Sequence, residues 1–191
     1  MRHNFTLTGQ RCRLRPLAEG DAAFILALRT NPQRAQHLHP TSPDLTHQIA
    51  WIDDYFKRDG DFYFVVEREV DRLADGLIAL YDVDVPTASA EWGRWILRDG
   101  SLCAIESALL IYRFGFEILH LDTIFCRTLV ENDRVVSFHD SCGIPERRLL
   151  SAHFDFCGQR HDAIEHRLNR ALWPTVARRL QRIVDRLSDR I

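Results

Sequence analysis

Short runs of β-branched and aromatic residues, bounded by turn residues, dominate the first half of the chain. This pattern predicts strands, at residues 10–16, 62–68, 73–84 and 89–97. Two helices are predicted between the first and second strands, at 19–30 and from Asp44 to about Lys57, with a proline-containing loop over 31–43 between them. The three later strands follow one another through short turns, so they form an antiparallel meander.

The pattern changes at residue 101, where apolar residues recur at helical spacing as far as residue 120. A buried strand (122–129) follows, then a short helix (132–142) ended by Gly143. The long helix gives the chain a crossover, so the strand after it can run parallel to the strand before it. The remaining segments are predicted as two strands and an amphipathic helix, at 147–156, 161–168 and 169–189. This order predicts one α/β domain over residues 1–191 with a mixed sheet.

Composition excludes several classes of protein. A chain of 191 residues is large enough for one domain with a real core, and 46% of its residues are hydrophobic. The formal net charge of −2 gives no reason to expect nucleic acid or an anionic membrane as a partner. No apolar run approaches the ~18 residues that span a membrane, and the amino end lacks the apolar core of a signal peptide. We therefore expect a cytoplasmic protein.

Cysteine and histidine spacing predicts no metal site. The five cysteines are odd in number and lack CxxC spacing, which indicates neither a disulfide framework nor zinc. Cys126 and Cys142 lie among apolar neighbours and are predicted core residues. Cys103 lies in a Gly-Ser turn, where a reactive role is conceivable. His153, His161 and His166 lack the spacing and the fourth partner of a metal site.

The turn at Gly100 and Ser101 is a candidate anion site. Ser101 is predicted to cap the long helix, and the N–H groups of residues 101–104 would then point outward with the positive end of the helix dipole. That arrangement suits a pyrophosphate, although a plain strand-to-helix turn has the same sequence. A second unusual feature is His139, which lies on the apolar face of helix 132–142. Such a histidine is either a hydrogen-bonded core residue or a functional one.

The order of strand, turn, helix, strand and Asn-capped helix over residues 91–144 resembles the acetyl-CoA-binding core of GNAT superfamily N-acetyltransferases. The opening RCRLRPLAEGD, followed by two helices, resembles the branch that contains ribosomal-protein N-terminal and amino-sugar acetyltransferases. The resemblance implies a single-domain α/β fold with a mixed, mostly antiparallel sheet, flanking helices and splayed central strands. It also implies acetyl-CoA as co-substrate and no metal.

Two family motifs can be placed on this chain. The cofactor cradle, Arg/Gln-x-x-Gly-x-Gly/Ala, falls on Asp99, Leu102 and Ala104, of which only Ala104 fits; Arg98 lies one place early. The motif Asn-x-x-(Ala/Ser)-x-x-x-Tyr-x-x-x-Gly-Phe falls on Asn132, Val135, His139, Gly143 and Ile144. In the family the asparagine contacts the pantetheine arm or orders the loop, and the tyrosine faces the thioester sulfur. His139 occupies the tyrosine position.

The resemblance assigns roles to particular residues. His139 would act at the sulfur as an acid or a base, and Glu91 would deprotonate the amine through water, unless it is an exposed strand carboxylate. Arg98 would meet phosphate or remain solvated. The residues expected to bind the cofactor are Trp95, Ile96, Leu97, Arg98, Gly100, Ser101, Leu102, Cys103, Ala104 and Asn132.

The resulting expectation is an acetyl-CoA-dependent N-acetyltransferase that transfers directly to a small primary amine, such as a nucleotide-linked amino sugar. Two alternatives remain open: a protein N-terminal acetyltransferase, and a non-catalytic CoA-binding module whose cradle has degraded. The acceptor pocket is expected between loop 31–43, the second helix and the hairpin near 153–168, lined by His37, His39, Trp51 and Tyr81. The exposed first strands and the last helix could form a homodimer.

Overall fold

One eight-stranded sheet runs through the protein. The computed structural model describes residues 2–156 and 158–188, so Cys157 and the predicted end of the last helix at Asp189 lie outside the described residues. The strands are β1 (Leu7–Thr8), β2 (Cys12–Pro16), β3 (Phe62–Arg68), β4 (Ala74–Asp84), β5 (Ser89–Leu97), β6 (Thr123–Leu129), β7 (Glu146–Phe156) and β8 (Gln159–Asn169). Their order is β1-β2-β3-β4-β5-β6-β8-β7, and only the β5–β6 pair is parallel. The predicted fold class is confirmed.

Helices cover both faces of the sheet. They are α1 (Ala22–Arg29), α2 (Pro32–Ala35), α3 (Leu45–Tyr55), α4 (Ala104–Arg113), α5 (Asp133–Ser141) and α6 (Trp173–Ser188). Alternate residues of β3 point to opposite faces: Phe64 packs into the core under α4 and α6, and Val65 into the core under α1 and α3. This double burial explains the unbroken apolar run in β3. No helix in the described part of the chain is long and apolar enough to cross a membrane.

Three local predictions differ from the structure in detail. The loop 31–43 contains α2, which begins because the Asn31 side chain accepts from Gln33 N at 3.0 Å and Pro32 occupies the first helical position. The first predicted helix begins with a 3₁₀ turn (Glu19–Asp21) before α1. The long helix begins at Ala104 rather than at residue 101, and its last part (Phe114–Ile118) is a π-helical turn.

The parallel strands β5 and β6 separate soon after they meet. Their pairing covers only residues 89–91 against 123–125, although each strand continues beyond that point. A β-bulge in β5 accompanies the separation: Gly93 pairs with Ala79 and Ile96 with Leu77, which leaves one extra residue on β5. Arg94 at this bulge has a φ of 49°. The splay opens a gap in the middle of the sheet.

Candidate active site

A cleft of about 640 Å³ opens at the gap between β5 and β6. Its walls come from β3, β4, β5 and β6, from α1, α3 and α5, and from the loop over residues 37–42. His37, His39, Trp51 and Tyr81, the four residues expected to line a pocket, all lie in this wall, and Phe154 contributes from β7. The predicted lining is therefore confirmed, while its use as an acceptor pocket stays a prediction.

The lining of the cleft is cationic and aromatic. Among the described residues it contains no aspartate or glutamate, and its four arginines are Arg29, Arg58, Arg94 and Arg127. Asp61, buried behind the wall, accepts from Arg94 Nη1 at 2.7 and 2.9 Å and lies 3.8 Å from Arg58. Two of the four guanidinium groups thus share a single carboxylate. The cleft favours a ligand that carries negative charge.

Glu91 lies beside the cleft, next to the point where the strands separate. Its carboxylate accepts from the Tyr81 hydroxyl at 3.2 Å and from Arg127 Nη1 at 2.9 Å. Glu91 is only 7% exposed, so the alternative of an exposed strand carboxylate is wrong. Burial raises the pKa of Glu91, and the Arg127 charge acts against that rise. Tyr81 and Arg127 line the cleft, whereas Glu91 itself is not among the lining residues.

Gly93 leaves space for the Tyr81 phenol. A Cβ at Gly93 would lie 2.7 Å from the Tyr81 hydroxyl oxygen, which is closer than van der Waals contact allows. The absence of a side chain therefore lets the phenol lie across β5. Arg94 stacks on the same ring, with its guanidinium carbon 4.3 Å from the ring centroid. The glycine in the bulged strand β5 thus leaves the space in which the Tyr81 hydroxyl donates to Glu91.

His139 lies at the floor of the cleft and is 2% exposed. Its Nε2 is 3.4 Å from the Cys126 sulfur, and its ring centroid is 5.2 Å from that of Trp92 and 5.1 Å from that of His166. Burial, together with the neighbouring His166, lowers the pKa of His139 to about 3. The imidazole is therefore neutral at pH 7.

Cys126 belongs to this floor as well, although its apolar neighbours in the sequence indicated only a core residue. It is buried and lines the cleft beside His139. Burial raises the pKa of the Cys126 thiol well above its usual value. A nucleophilic cysteine needs a lowered pKa, so this Cys–His contact lacks the features of a covalent catalytic pair.

The turn before α4 differs in detail from the predicted cradle. Ser101 N–H donates to the Arg98 carbonyl at 3.2 Å, and Cys103 N–H donates to Ser101 Oγ at 3.1 Å. The Ser101 hydroxyl in turn binds the buried carboxylate of Asp75. Because α4 begins at Ala104, the N–H groups without an intrahelical partner belong to residues 104–106. The expectation of four free N–H groups over 101–104 was therefore wrong.

The side chains around this turn leave its surface open. Gly100 has a φ of 73°, and a Cβ built there would meet no atom within 4 Å. The exposed Arg98 lies over the Phe24 ring, and no carboxylate of the described residues lies within 4 Å of its guanidinium nitrogens. Asp99 pairs with Arg34 of α2 at 2.6 Å. The carboxylate that departs from the family pattern is thus neutralised by an arginine from another helix.

The other expected cofactor residues lie along the two sides of the gap. Trp95 lines the cleft, and its indole N–H donates to Ser107 Oγ at 3.2 Å. Asn132 also lines the cleft and caps α5, accepting from Val135 N at 3.4 Å. Of the remaining four, Ile96 and Cys103 are buried, Leu97 is partly buried and Leu102 is exposed.

Two features of the site escaped prediction. The first is the pairing of Tyr81 with Glu91: counting outward from the predicted turn at 86–88 places Tyr81 opposite Gly93, and a register shift between Tyr81 and Asp84 brings it opposite Glu91. The second is the place of Arg29 in the cleft, which depends on how α1 packs. Within residues 2–156 and 158–188, no cluster of three or more His, Cys, Asp or Glu side chains could hold a metal ion.

The family model described as "Acetyltransferase (GNAT) domain" matches residues 11–144. The chain belongs to the GNAT family of acetyltransferases. Its class is thereby that of an N-acetyltransferase, and GNAT enzymes in general use acetyl-CoA. The match covers most of the chain but stops before β7, so the extent of the domain over 1–191 stays a prediction.

Solved structures of GNAT enzymes share this fold. A structure described as apo FdhC, a nucleotide-linked sugar GNAT, is 29% identical and has a TM-score of 0.75, covering 91% of this chain and 94% of its own. A GCN5-related N-acetyltransferase from Brucella melitensis is 20% identical, with a TM-score of 0.83 and coverages of 94% and 85%. A SpeG spermidine N-acetyltransferase variant from Vibrio cholerae is 22% identical, with a TM-score of 0.74 and coverages of 86% and 97%. No curated protein matches the sequence significantly.

Proposed function

We propose that this GNAT enzyme transfers an acetyl group directly from acetyl-CoA to the primary amine of a small anionic molecule, such as a nucleotide-linked amino sugar. The choice of acceptor rests on the charge of the cleft, whose described lining has four arginines and no carboxylate. A polyamine carries several positive charges, and such a cleft repels it. The 29% identity to FdhC, a nucleotide-linked sugar GNAT, supports the same acceptor class.

The residues around α4 fit acetyl-CoA, which supplies the acetyl group as an activated thioester. The unpartnered N–H groups of residues 104–106 and the exposed Arg98 suit the phosphates. The backbone of Trp95, Ile96 and Leu97, beyond the last β5–β6 pair, suits the pantetheine arm and the thioester oxygen. Asn132 lies on the opposite side of the gap. These assignments need main-chain groups more than side chains, so the departures at Asp99 and Leu102 do not prevent them.

The acceptor amine must lose a proton before it can attack. Glu91 is the proposed base, and the Tyr81 hydroxyl is the proposed route to it, because Tyr81 lines the cleft and donates to Glu91. A proton passes from the amine to the Tyr81 oxygen while the Tyr81 proton passes to Glu91. The raised pKa of Glu91 brings its proton affinity closer to that task.

His139 has a narrower role in this proposal than an acid or base. A pKa of about 3 leaves no imidazolium to donate a proton at neutral pH. We assign His139 as a neutral group that shapes the floor beside the sulfur, through its contacts with Cys126 and Trp92. Because the Cys126 thiol also stays neutral, the acetyl group has no enzyme nucleophile in this floor, which supports direct transfer.

The experiment is a thermal-shift titration with acetyl-CoA, followed by measurement of CoA thiol release with a uridine- or thymidine-diphosphate amino sugar. Stabilisation by acetyl-CoA and amine-dependent thiol release are expected, with intersecting double-reciprocal lines as in a ternary-complex mechanism. Stabilisation without release for any amine, including a peptide N-terminus, would make the protein a CoA-binding module. Parallel lines would replace direct transfer by a covalent mechanism.

A further inference from the structure

Arg29, on the last turn of α1, places a guanidinium in the wall of the cleft, and no residue of the described chain supplies a counter-ion to it. Its Nε donates to Thr41 Oγ1 at 2.8 Å and its Nη2 to the His39 carbonyl at 3.3 Å, and its charge also acts on the Tyr63 phenol. All of these partners are neutral. Within residues 2–156 and 158–188, no carboxylate lies within 4 Å of the Arg29 guanidinium nitrogens.

The other arginines of the cleft differ from Arg29 in this respect. Arg94 binds Asp61 at 2.7 Å, and Arg127 binds Glu91 at 2.9 Å and a further carboxylate, that of Glu165, at 3.0 Å. A partly buried charge without a partner is costly. Arg29 is partly buried and faces a cleft that is open to ligands. An anion that enters with the ligand would supply the missing charge.

The surroundings of Arg29 are rich in hydrogen-bond donors. The hydroxyls of Thr41 and Ser42 and the ring of His47 lie in the same part of the wall. Ser42 Oγ is 2.9 Å from His47 Nδ1, so these groups already form a small polar network. Arginine with hydroxyl groups is a common means of binding phosphate, because the planar guanidinium can donate to two oxygens at once.

We propose that Arg29, with Thr41 and Ser42, forms an anion subsite for the phosphate groups of the acceptor. The subsite rests on the proposed function, in which the acceptor is nucleotide-linked. It is separate from the cofactor phosphate site, because residues 98–104 are not among those that line the cleft. The enzyme would then hold two sets of phosphates at once, those of the cofactor at the start of α4 and those of the acceptor at the end of α1.

Calorimetric titration with UDP, dTDP and inorganic pyrophosphate, with and without saturating CoA, tests the subsite. Arg29→Gln should weaken the binding of the nucleoside diphosphates about tenfold or more, as expected for lost hydrogen bonds to a charged group. Arg29→Lys should recover part of the affinity. Arg178→Gln is the matched control, since Arg178 also donates to a threonine, Thr175, but lies on the exposed side of α6. It should leave binding unchanged.

Thr41→Val removes one hydroxyl of the subsite and the Arg29–Thr41 hydrogen bond, but it keeps the guanidinium, which carries the charge. A loss smaller than that of Arg29→Gln is expected, whereas equal losses would reduce Arg29 to a loop anchor and overturn the subsite. Competition between UDP and CoA would place the anion in the cofactor site and overturn it too. If the enzyme acetylates amines but does not bind UDP or dTDP, the subsite is rejected and the proposed reaction is not. Arg29-dependent nucleotide binding without acetyl transfer supports the subsite and rejects the proposed reaction.

Discussion

The Tyr81 hydroxyl donates to the Glu91 carboxylate at 3.2 Å, between directly opposite residues of β4 and β5. Tyr81 reaches the cleft and Glu91 does not. The acid–base chemistry proposed for Glu91 therefore depends on a phenol from the neighbouring strand.

Tyr81→Phe and Glu91→Gln should each lower kcat, by about 10²-fold or more, which is the usual contribution of general base catalysis. The double variant should be little worse than either single variant, because both remove the same proton route. Steady-state kinetics at saturating acetyl-CoA measures this. Tyr112→Phe is the control, since Tyr112 is buried outside the cleft lining. If the two reductions in kcat multiply in the double variant, Tyr81 and Glu91 act separately.

Gly93→Ala should reduce kcat by displacing the Tyr81 phenol, because the new Cβ would lie 2.7 Å from the hydroxyl oxygen. The next contacts, at 3.5 and 3.6 Å to ring carbons, are ordinary. The same substitution in a Tyr81→Phe background should therefore have little further effect. Comparing kcat/KM for Gly93→Ala in the two backgrounds measures this. An equal loss in both would place the effect in the β5 backbone instead.

His139 should make the protein less stable in acid. Its pKa is about 3 when folded and 6.5 when free, so between these values the unfolded chain binds a proton that the folded chain does not. The free energy of unfolding should therefore fall as pH drops through this window, by up to about 1.4 kcal/mol per pH unit from this residue. Urea unfolding between pH 4.5 and 7 should show a shallower dependence for His139→Leu. An unchanged slope would show that His139 is not buried in its neutral form.

Asp99→Asn should strengthen CoA binding about two- to fivefold, the range expected for one screened charge near a helix N-terminus. The change removes a carboxylate from the phosphate side of the turn and frees Arg34. Affinity for pantetheine, which lacks the phosphates, should not change. Asp54→Asn removes an exposed carboxylate paired with Lys57 and serves as the control. Equal gains for CoA and pantetheine would indicate a change in the fold of the turn, not in charge.

The sheet could be predicted from the sequence because its causes are local. Alternating and continuous apolar runs marked seven of the strands, and the long helix between β5 and β6 supplied a crossover that allows their parallel pairing. The two-residue β1 is too short to leave a pattern. Helix α2 carried a readable signal, an asparagine cap followed by proline, within a stretch whose three prolines indicated a loop.

The details of the site depend on contacts that are distant in sequence. Ser101 has the character of a helix cap, but its hydroxyl binds Asp75, 26 residues earlier, and the helix starts three residues later. Arg29 and the loop at 39–41 meet through the packing of α1. The burial that keeps His139 of α5 neutral likewise involves Trp92 on β5 and His166 on β8.

The ratio of kcat/KM between a nucleotide-linked amino sugar and spermidine, measured side by side with acetyl-CoA, shows whether the enzyme selects an anionic acceptor. We expect a preference of about 100-fold or more for the nucleotide-linked amine. The two acceptors differ in the sign of their charge, and the described lining carries four arginines and no carboxylate. That preference should shrink as salt screens the charges. An equal or higher kcat/KM for spermidine would show that the cleft does not select an anionic acceptor.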